Sequence, residues 1–274
     1  TMSKGLTYDK GSAEVFVDGK SAGKIEPAIT DYAGEESGYA DGTVLTWNFD
    51  DIKDDPYNAG NGAVITIKYT AALNENAVIG AAGNPNKMHI EFSNNPNGEG
   101  TGETPDDTNI VFTYKVVVNK VDEESKPLAG AEFTLEKQLS DESWTKIDRV
   151  TVNEGQTTFT FTGLDDGTYR LSETKTPDGY NTIDPIIFTI TAEHDIESED
   201  PRLTSLNGDS ATGEITFEAA SEDGSLTTTV VNKSGAELPE TGGMGTTIFY
   251  VLGAILVLGA GVLLIARRRT DSEK

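Results

Sequence analysis

Apolar side chains in this chain recur at every second position, in runs of three or so, and then stop at a glycine, asparagine, aspartate or proline. Ala13, Val15 and Val17 alternate in this way before the turn pair Asp18-Gly19; Leu45, Trp47 and Phe49 follow, then Ile65, Ile67 and Tyr69, then Met88, Ile90 and Phe92. Successive side chains of a strand point to opposite faces, so period two buries one face, and short runs broken by turn residues predict antiparallel sheets. Residues 95–107, rich in glycine, proline, asparagine and aspartate, interrupt the pattern and predict a domain boundary. A second series follows: Tyr114, Val116 and Val118; Ala131, Phe133 and Leu135; Phe159 and Phe161; Tyr169 and Leu171; Ile186, Phe188 and Ile190; Ile215 and Phe217; Leu226 and Val230. The expected fold class is all-β, with two β-sandwich domains in tandem over residues 1–108 and 109–236.

The carboxyl end obeys a different rule. Residues 246–266 carry no charge, and at about 1.5 Å per residue a helix of that length spans about 30 Å, enough to cross a bilayer. Arg267, Arg268 and Arg269 follow at once and favour a cytoplasmic carboxyl end, which leaves the body outside. An exported body needs a leader, yet Thr1 opens in polar sequence, so the chain is expected to be the carboxyl-terminal part of a longer one, with its first domain truncated. The formal net charge of −25 repels phosphate backbones and argues against nucleic-acid binding. With no cysteine there is neither a disulfide nor a thiolate nucleophile.

Three polar residues fall on faces that alternation assigns to the second core. Lys120 continues the row of Tyr114, Val116 and Val118; Glu173 continues Tyr169 and Leu171; Asn232 continues Leu226 and Val230. Singly, each reads as a strand end meeting solvent, where a lysine can extend its ammonium outward. Together they suggest chemistry. Burial pushes a lysine towards its neutral, nucleophilic amine and a carboxyl towards its acid form. Such an amine can attack an asparagine side-chain carbonyl while the acid hydrogen-bonds that carbonyl and relays protons to departing ammonia, giving a Lys–Asn isopeptide bond. This is a single-turnover self-reaction that calls for no cofactor or metal.

Leu238-Pro239-Glu240-Thr241-Gly242, followed by the apolar run and the basic tail, resembles the LPxTG cell-wall sorting signal of Gram-positive surface proteins. The resemblance implies a sorting signal over 237–274 with a transmembrane helix at 246–266, and cleavage by a sortase between Thr241 and Gly242. The Thr241 carboxyl then passes to an amine of a peptidoglycan precursor or of another subunit. Pro239 suits recognition in a groove, because it fixes its own φ and pushes Leu238 into an extended shape. Residues 116–136 and 169–180 (YRLSETKTPDGY) look like the first strand and the glutamate box of collagen-adhesin B-type domains, the immunoglobulin-like, prealbumin-like modules of Gram-positive pilins. That family implies Lys120 as nucleophile, Glu173 as proton relay and Asn232 as acceptor; its usual alanine before the box proline is Thr176 here. Residues 1–95 are similar to the isopeptide-forming fimbrial domain that precedes such modules, in stretches such as YTAALNENAVIG and IEFSNNP. There the resemblance makes Asn94 the acceptor, its lysine lying upstream of Thr1.

These readings converge on a structural pilus (fimbrial) subunit of a Gram-positive cell surface, self-cross-linked, held in the cell wall by sortase, and spanning the membrane only before sorting. The chain is expected to be a sortase substrate and no enzyme in its own right. The alternative is a sortase-anchored adhesin that does not polymerise and binds host matrix through missing amino-terminal domains. Other signals are weak: the two histidines lack a zinc-protease spacing, and the acidic groups at 50–55 and 193–200 match no EF-hand and read as solvated loops. Gly19-Lys20-Ser21 lacks the first glycine of a phosphate loop, which is Glu14 here.

Overall fold

The computed structural model describes residues 1–95, 98, 100–195, 201–211, 213 and 215–235; the sorting motif, the apolar segment 246–266 and the basic tail lie outside the described residues. Strands dominate. The first half holds β1 (Leu6–Tyr8), β2 (Glu14–Val17), β3 (Lys20–Lys24), β4 (Ala28–Asp31), β5 (Thr43–Thr46), β6 (Ile65–Lys68), β7 (Ala71–Leu73), β8 (Asn84–Met88), β9 (Glu91–Ser93), β10 (Thr101–Glu103) and β11 (Asp107–Val111). The second half holds β12 (Tyr114–Val121), β13 (Glu132–Gln138), β14 (Trp144–Lys146), β15 (Val150–Val152), β16 (Thr158–Leu164), β17 (Gly167–Lys175), β18 (Ile186–Asp195), β19 (Arg202–Ser210), β20 (Glu218–Ala220) and β21 (Ser225–Val231).

The second half is a sandwich of two five-stranded sheets, ordered β15-β16-β12-β21-β20 and β14-β13-β17-β18-β19. Between them lie the rows that alternation picked out: Tyr114, Val116, Val118, Leu135, Phe161, Tyr169, Leu171, Phe188, Ile190, Leu226 and Val230 are all buried. The burial of β12 alternates without a break along its length, as a strand with one face on a core must. Most pairings are antiparallel, but β12 and β21 run parallel, from Lys115 opposite Ser225 to Val121 opposite Val231. The first and last strands of this unit therefore lie side by side and point the same way.

The first half is built from smaller sheets: β3-β2-β6, and the pairs β1-β7, β4-β5, β8-β11 and β9-β10. The Asp18-Gly19 pair makes the β2–β3 hairpin turn with both residues at positive φ, 48° and 78°, which is the twist-matched geometry such a dipeptide favours. Its core is small, formed by Met2, Leu6, Tyr8 and Ala13 with Ile25, Leu45, Trp47, Tyr69 and Leu73 against them.

Two expectations for this half are corrected. The row Met88, Ile90 and Phe92 is not on a buried face: these side chains are 55%, 56% and 48% exposed, and the run is split between the end of β8 and β9. Alternation shows that such residues share a side of the chain; it does not supply the second sheet that would cover them. The stretch 95–107 is no simple linker either, because it contains β10 and the start of β11, which pairs back onto β8. The strand β11 thus runs across position 108, and the chain changes sheets at Phe112 and Thr113.

The two halves meet at a tight backbone crossing. Gly80 N–H donates to the Thr113 carbonyl and Ala81 N–H to that of Glu222, both at 3.1 Å, and a Cβ on Gly224 would sit 2.6 Å from the Gly80 Cα. Gly224 also has φ +58°, so glycine is required there twice over.

Candidate functional site

The inward row of β12 ends on Lys120, whose side chain is fully buried. In the parallel pairing Lys120 stands opposite Val230, and Asn232, two residues further on the same side, is also fully buried just past the end of β21. Glu173 comes from the opposite sheet: it continues Tyr169 and Leu171 along β17, stands opposite Phe133 of β13, and is 8% exposed. The three residues expected from the sequence are therefore gathered at one end of the sandwich interior, two from one layer and one from the other.

Asn232 Nδ2 donates to both oxygens of Glu173, at 2.8 Å to Oε1 and 3.0 Å to Oε2. Asn232 Oδ1 is buried without a partner among the described residues. An orphaned buried oxygen costs about 1–3 kcal/mol. Half a turn about the Cβ–Cγ bond would set Oδ1 against the carboxyl, and that arrangement becomes favourable when Glu173 carries a proton to donate. Lys120 Nζ donates to two backbone carbonyls, Val121 at 2.8 Å and Val230 at 3.3 Å. Burial lowers its pKa from 10.5 to about 8, against the opposing pull of the Glu173 and Asp122 charges. The neutral amine needed for attack is thus within reach near neutral pH.

The same shift has a consequence for stability. Between pH 8 and 10.5 the unfolded lysine holds a proton that the folded one has lost, so stability rises with pH across that window. In an Asn232→Ala variant, where Lys120 stays free, urea midpoints should climb from pH 8 to pH 10 by the equivalent of a few kcal/mol. A flat profile would mean that the buried amine keeps its ordinary proton affinity.

Glu173 Oε2 has further donors: Ile183 N–H at 3.2 Å and the Thr176 hydroxyl at 3.3 Å, and Thr176 Oγ1 lies 2.6 Å from the Thr182 hydroxyl. The trio read from the sequence does not include Thr176. Its one signal was a hydroxyl where the resemblance expects alanine.

Asn94 is placed differently. Its side chain is exposed, donates to the Thr101 carbonyl at 2.7 Å and braces the β9–β10 hairpin, so this structure does not bring it against a buried lysine. Among the described residues of the first half, the buried asparagine is Asn84. Its amide is fully engaged, with Val78 N–H donating to Oδ1 and Nδ2 donating to the carbonyls of Val78 and Val111. The histidine His89 lies 3.0 Å from Asp106 and 3.6 Å from Glu103, but the Lys87 ammonium already lies 3.2 Å from that aspartate, and all three candidate ligands are exposed. That group is an ion-pair cluster on the surface. Of the acidic stretch 193–200, residues 193–195 lie within β18, and 196–200 are outside the described residues.

Comparison with known proteins accords with the geometry. The family model of the prealbumin-like fold domain matches residues 114–201, and that of the LPXTG cell wall anchor motif matches residues 230–272. The trypsin-resistant surface T6 protein of Streptococcus pyogenes serotype M6 is 28% identical, over 98% of this chain and 60% of its own length. The chain thus spans about three-fifths of that relative. Among solved structures, the T6 backbone pilin of the same serotype superposes with a TM-score of 0.55 at 21% identity, covering 86% of this chain and 60% of that one. The carboxyl-terminal fragment of a Streptococcus agalactiae major pilin gives 0.51 at 22% identity, covering 84% of each chain. The full-length major pilin SpaD of Corynebacterium diphtheriae gives 0.51 at 19%, covering 86% of this chain and 55% of that one. The chain is homologous to the T6 protein, shares the all-β fold of these pilins, and carries a cell wall anchor that places it at the cell surface.

Proposed function

We propose that this chain is a structural pilus subunit whose second sandwich closes itself with an isopeptide bond between Lys120 and Asn232, and whose Thr241 is joined by sortase to the cell wall or to another subunit. The observation that carries the first part is the buried meeting of an amine of lowered basicity, a carboxyl and a carboxamide with an unpartnered oxygen. In this reading the neutral Nζ attacks Cγ of Asn232 while Glu173 donates its proton to Oδ1. The tetrahedral centre collapses with loss of Nδ2 as ammonia; one proton from Nζ reaches that nitrogen through Glu173, which ends as it began. The bond Nζ–Cγ replaces Cγ–Nδ2, and nothing is oxidised or reduced.

The homologous T6 protein and the backbone pilins of like fold support a structural role, and the anchor match supports sortase as the partner. Intact mass tests the cross-link. The chain should be one ammonia lighter than its sequence, and fragments bearing Lys120 and Asn232 should stay joined after proteolysis; a full-mass, folded chain would remove this role. For the anchor, Thr241→Ala should abolish wall attachment and leave the chain in the membrane or medium. Normal recovery of that variant from purified walls would exclude Thr241 as the point of transfer.

A further inference from the structure

The residues Thr1, Met2 and Ser3 sit between two strands of the first half. On one side is β8: the Thr1 amine donates to the Lys87 carbonyl at 2.7 Å, Lys87 N–H donates back to Thr1 at 2.9 Å, and Ser3 N–H donates to Pro85. On the other side Met2 exchanges two backbone bonds with Thr43 of β5, at 2.8 and 2.9 Å. Both edges continue beyond Thr1. The backbone groups of an antiparallel strand point alternately to its two neighbours. Met88 pairs with Asp107, and Ile90, Phe92 and Asn94 pair with Thr104, Gly102 and Gly100, so His89, Glu91 and Ser93 turn their N–H and C=O groups the other way, in step with Pro85 and Lys87. Leu45 does the same from β5, in step with Thr43. Among the described residues these four have no backbone partner in that direction.

We propose that the first half accepts a β-strand here: an extended segment that leads into Thr1, is apolar at every second residue, and joins β5 to the edge formed by β8 and β9. Thr1 already fills the last rungs of that ladder, which favours a segment continuous with it over a separate strand that would have to stop against the amine. The amine also stands where a peptide N–H would make the same bond. It is half-buried, and burial, with the Lys87 charge beside it, holds its pKa below the ordinary value, a conflict that a neutral amide removes. Register fixes the chemistry of the segment. Met2 is buried and faces Asn86, so the residue two places before it faces Met88, and those two and four places further back face Ile90 and Phe92. Cross-strand partners share a face. This is the face on which Met88, Ile90 and Phe92 are exposed, and on which Leu45 and Trp47 pack against the core of Met2 and Leu6. Apolar residues in that row would cover the exposed three and widen that small core.

The test is to add such a strand. Full-length chains carrying the prefix Thr-Val-Thr-Val-Thr-Val, which sets valine opposite Met88, Ile90 and Phe92, or Val-Thr-Val-Thr-Val-Thr, the same residues one step out of register, would be compared with the parent in detergent micelles by amide hydrogen exchange. A slip of one residue turns every side chain to the other face. The in-register prefix should slow exchange at Leu45, His89, Glu91 and Ser93 by about tenfold or more and leave β12 unchanged, and the shifted prefix should slow it far less. Exchange as fast as the parent's with the in-register prefix, or equal protection by both prefixes, would overturn the proposal. Protection that grows with protein concentration would also overturn it, by giving these edges to a strand of a second copy. None of these outcomes bears on the Lys120–Asn232 cross-link, which lies in the other half.

Discussion

Glu173→Gln should leave the second sandwich folded, with Lys120 and Asn232 in place, and reduce the rate of ammonia loss by about 10²–10⁴-fold. The substitution keeps the size of the side chain and can still satisfy Ile183 N–H and the Asn232 amide, so it removes little packing. It cannot take a proton from Nζ or give one to the leaving nitrogen. Circular dichroism should show the parental sheet signature beside a full-sequence mass. A Glu173→Gln chain that still loses ammonia at the parental rate would leave the carboxyl a hydrogen-bonding spacer.

Lys120→Met carries the second large effect, on stability. A cross-link from Lys120 to Asn232 closes a loop of more than a hundred residues, and in the chain-entropy picture that removes about 4–5 kcal/mol of freedom from the unfolded state. Methionine fills the space of the lysine stem and removes a buried amine that, among the described residues, has two carbonyls to bond, which offsets part of the loss. The net expectation is a fall in melting temperature on the order of 10–20 °C. The control is Asn232→Ala, which loses the same bond but leaves the amine buried and should be less stable than Lys120→Met at neutral pH. The opposite order would mean that the cavity left by the methionine exchange outweighs the stranded amine.

The second half was legible because its strands write their inward face as unbroken apolar rows. Against rows such as Tyr114, Val116 and Val118, a lysine in step stands out, and the same holds for Glu173 and Asn232. Other parts lacked that contrast. Leu203 and Leu206 of β19 are both buried, yet they are three apart, and the β18–β19 pairing carries a register shift between Glu193 and His194, so the period of two fails there. In the first half, Met88, Ile90 and Phe92 alternate correctly and still lie exposed, because burial depends on a facing layer that a row does not encode. Thr176 escaped for a third reason: a hydroxyl beside a proline in a turn reads as surface until the carboxylate it touches is located.

The parallel course of β12 and β21 has a mechanical meaning. A chain pulled by its two ends loads the first and last strands of this sandwich, entering at Tyr114 and leaving past Asn232. Adjacent parallel strands drawn in opposite directions along their axes are sheared, so the seven register pairs between Lys115 and Val121 resist together, where a hairpin opened from one end yields its bonds in turn. Were Nζ of Lys120 joined to Cγ of Asn232 as proposed, tension would run up β12, across one covalent bridge and out of the domain. The rest of the sandwich, from β13 to β21, would then hang beside the load path as slack. Force transmission would then be set by the strength of covalent bonds, leaving the remaining strands free to vary in sequence without weakening the line.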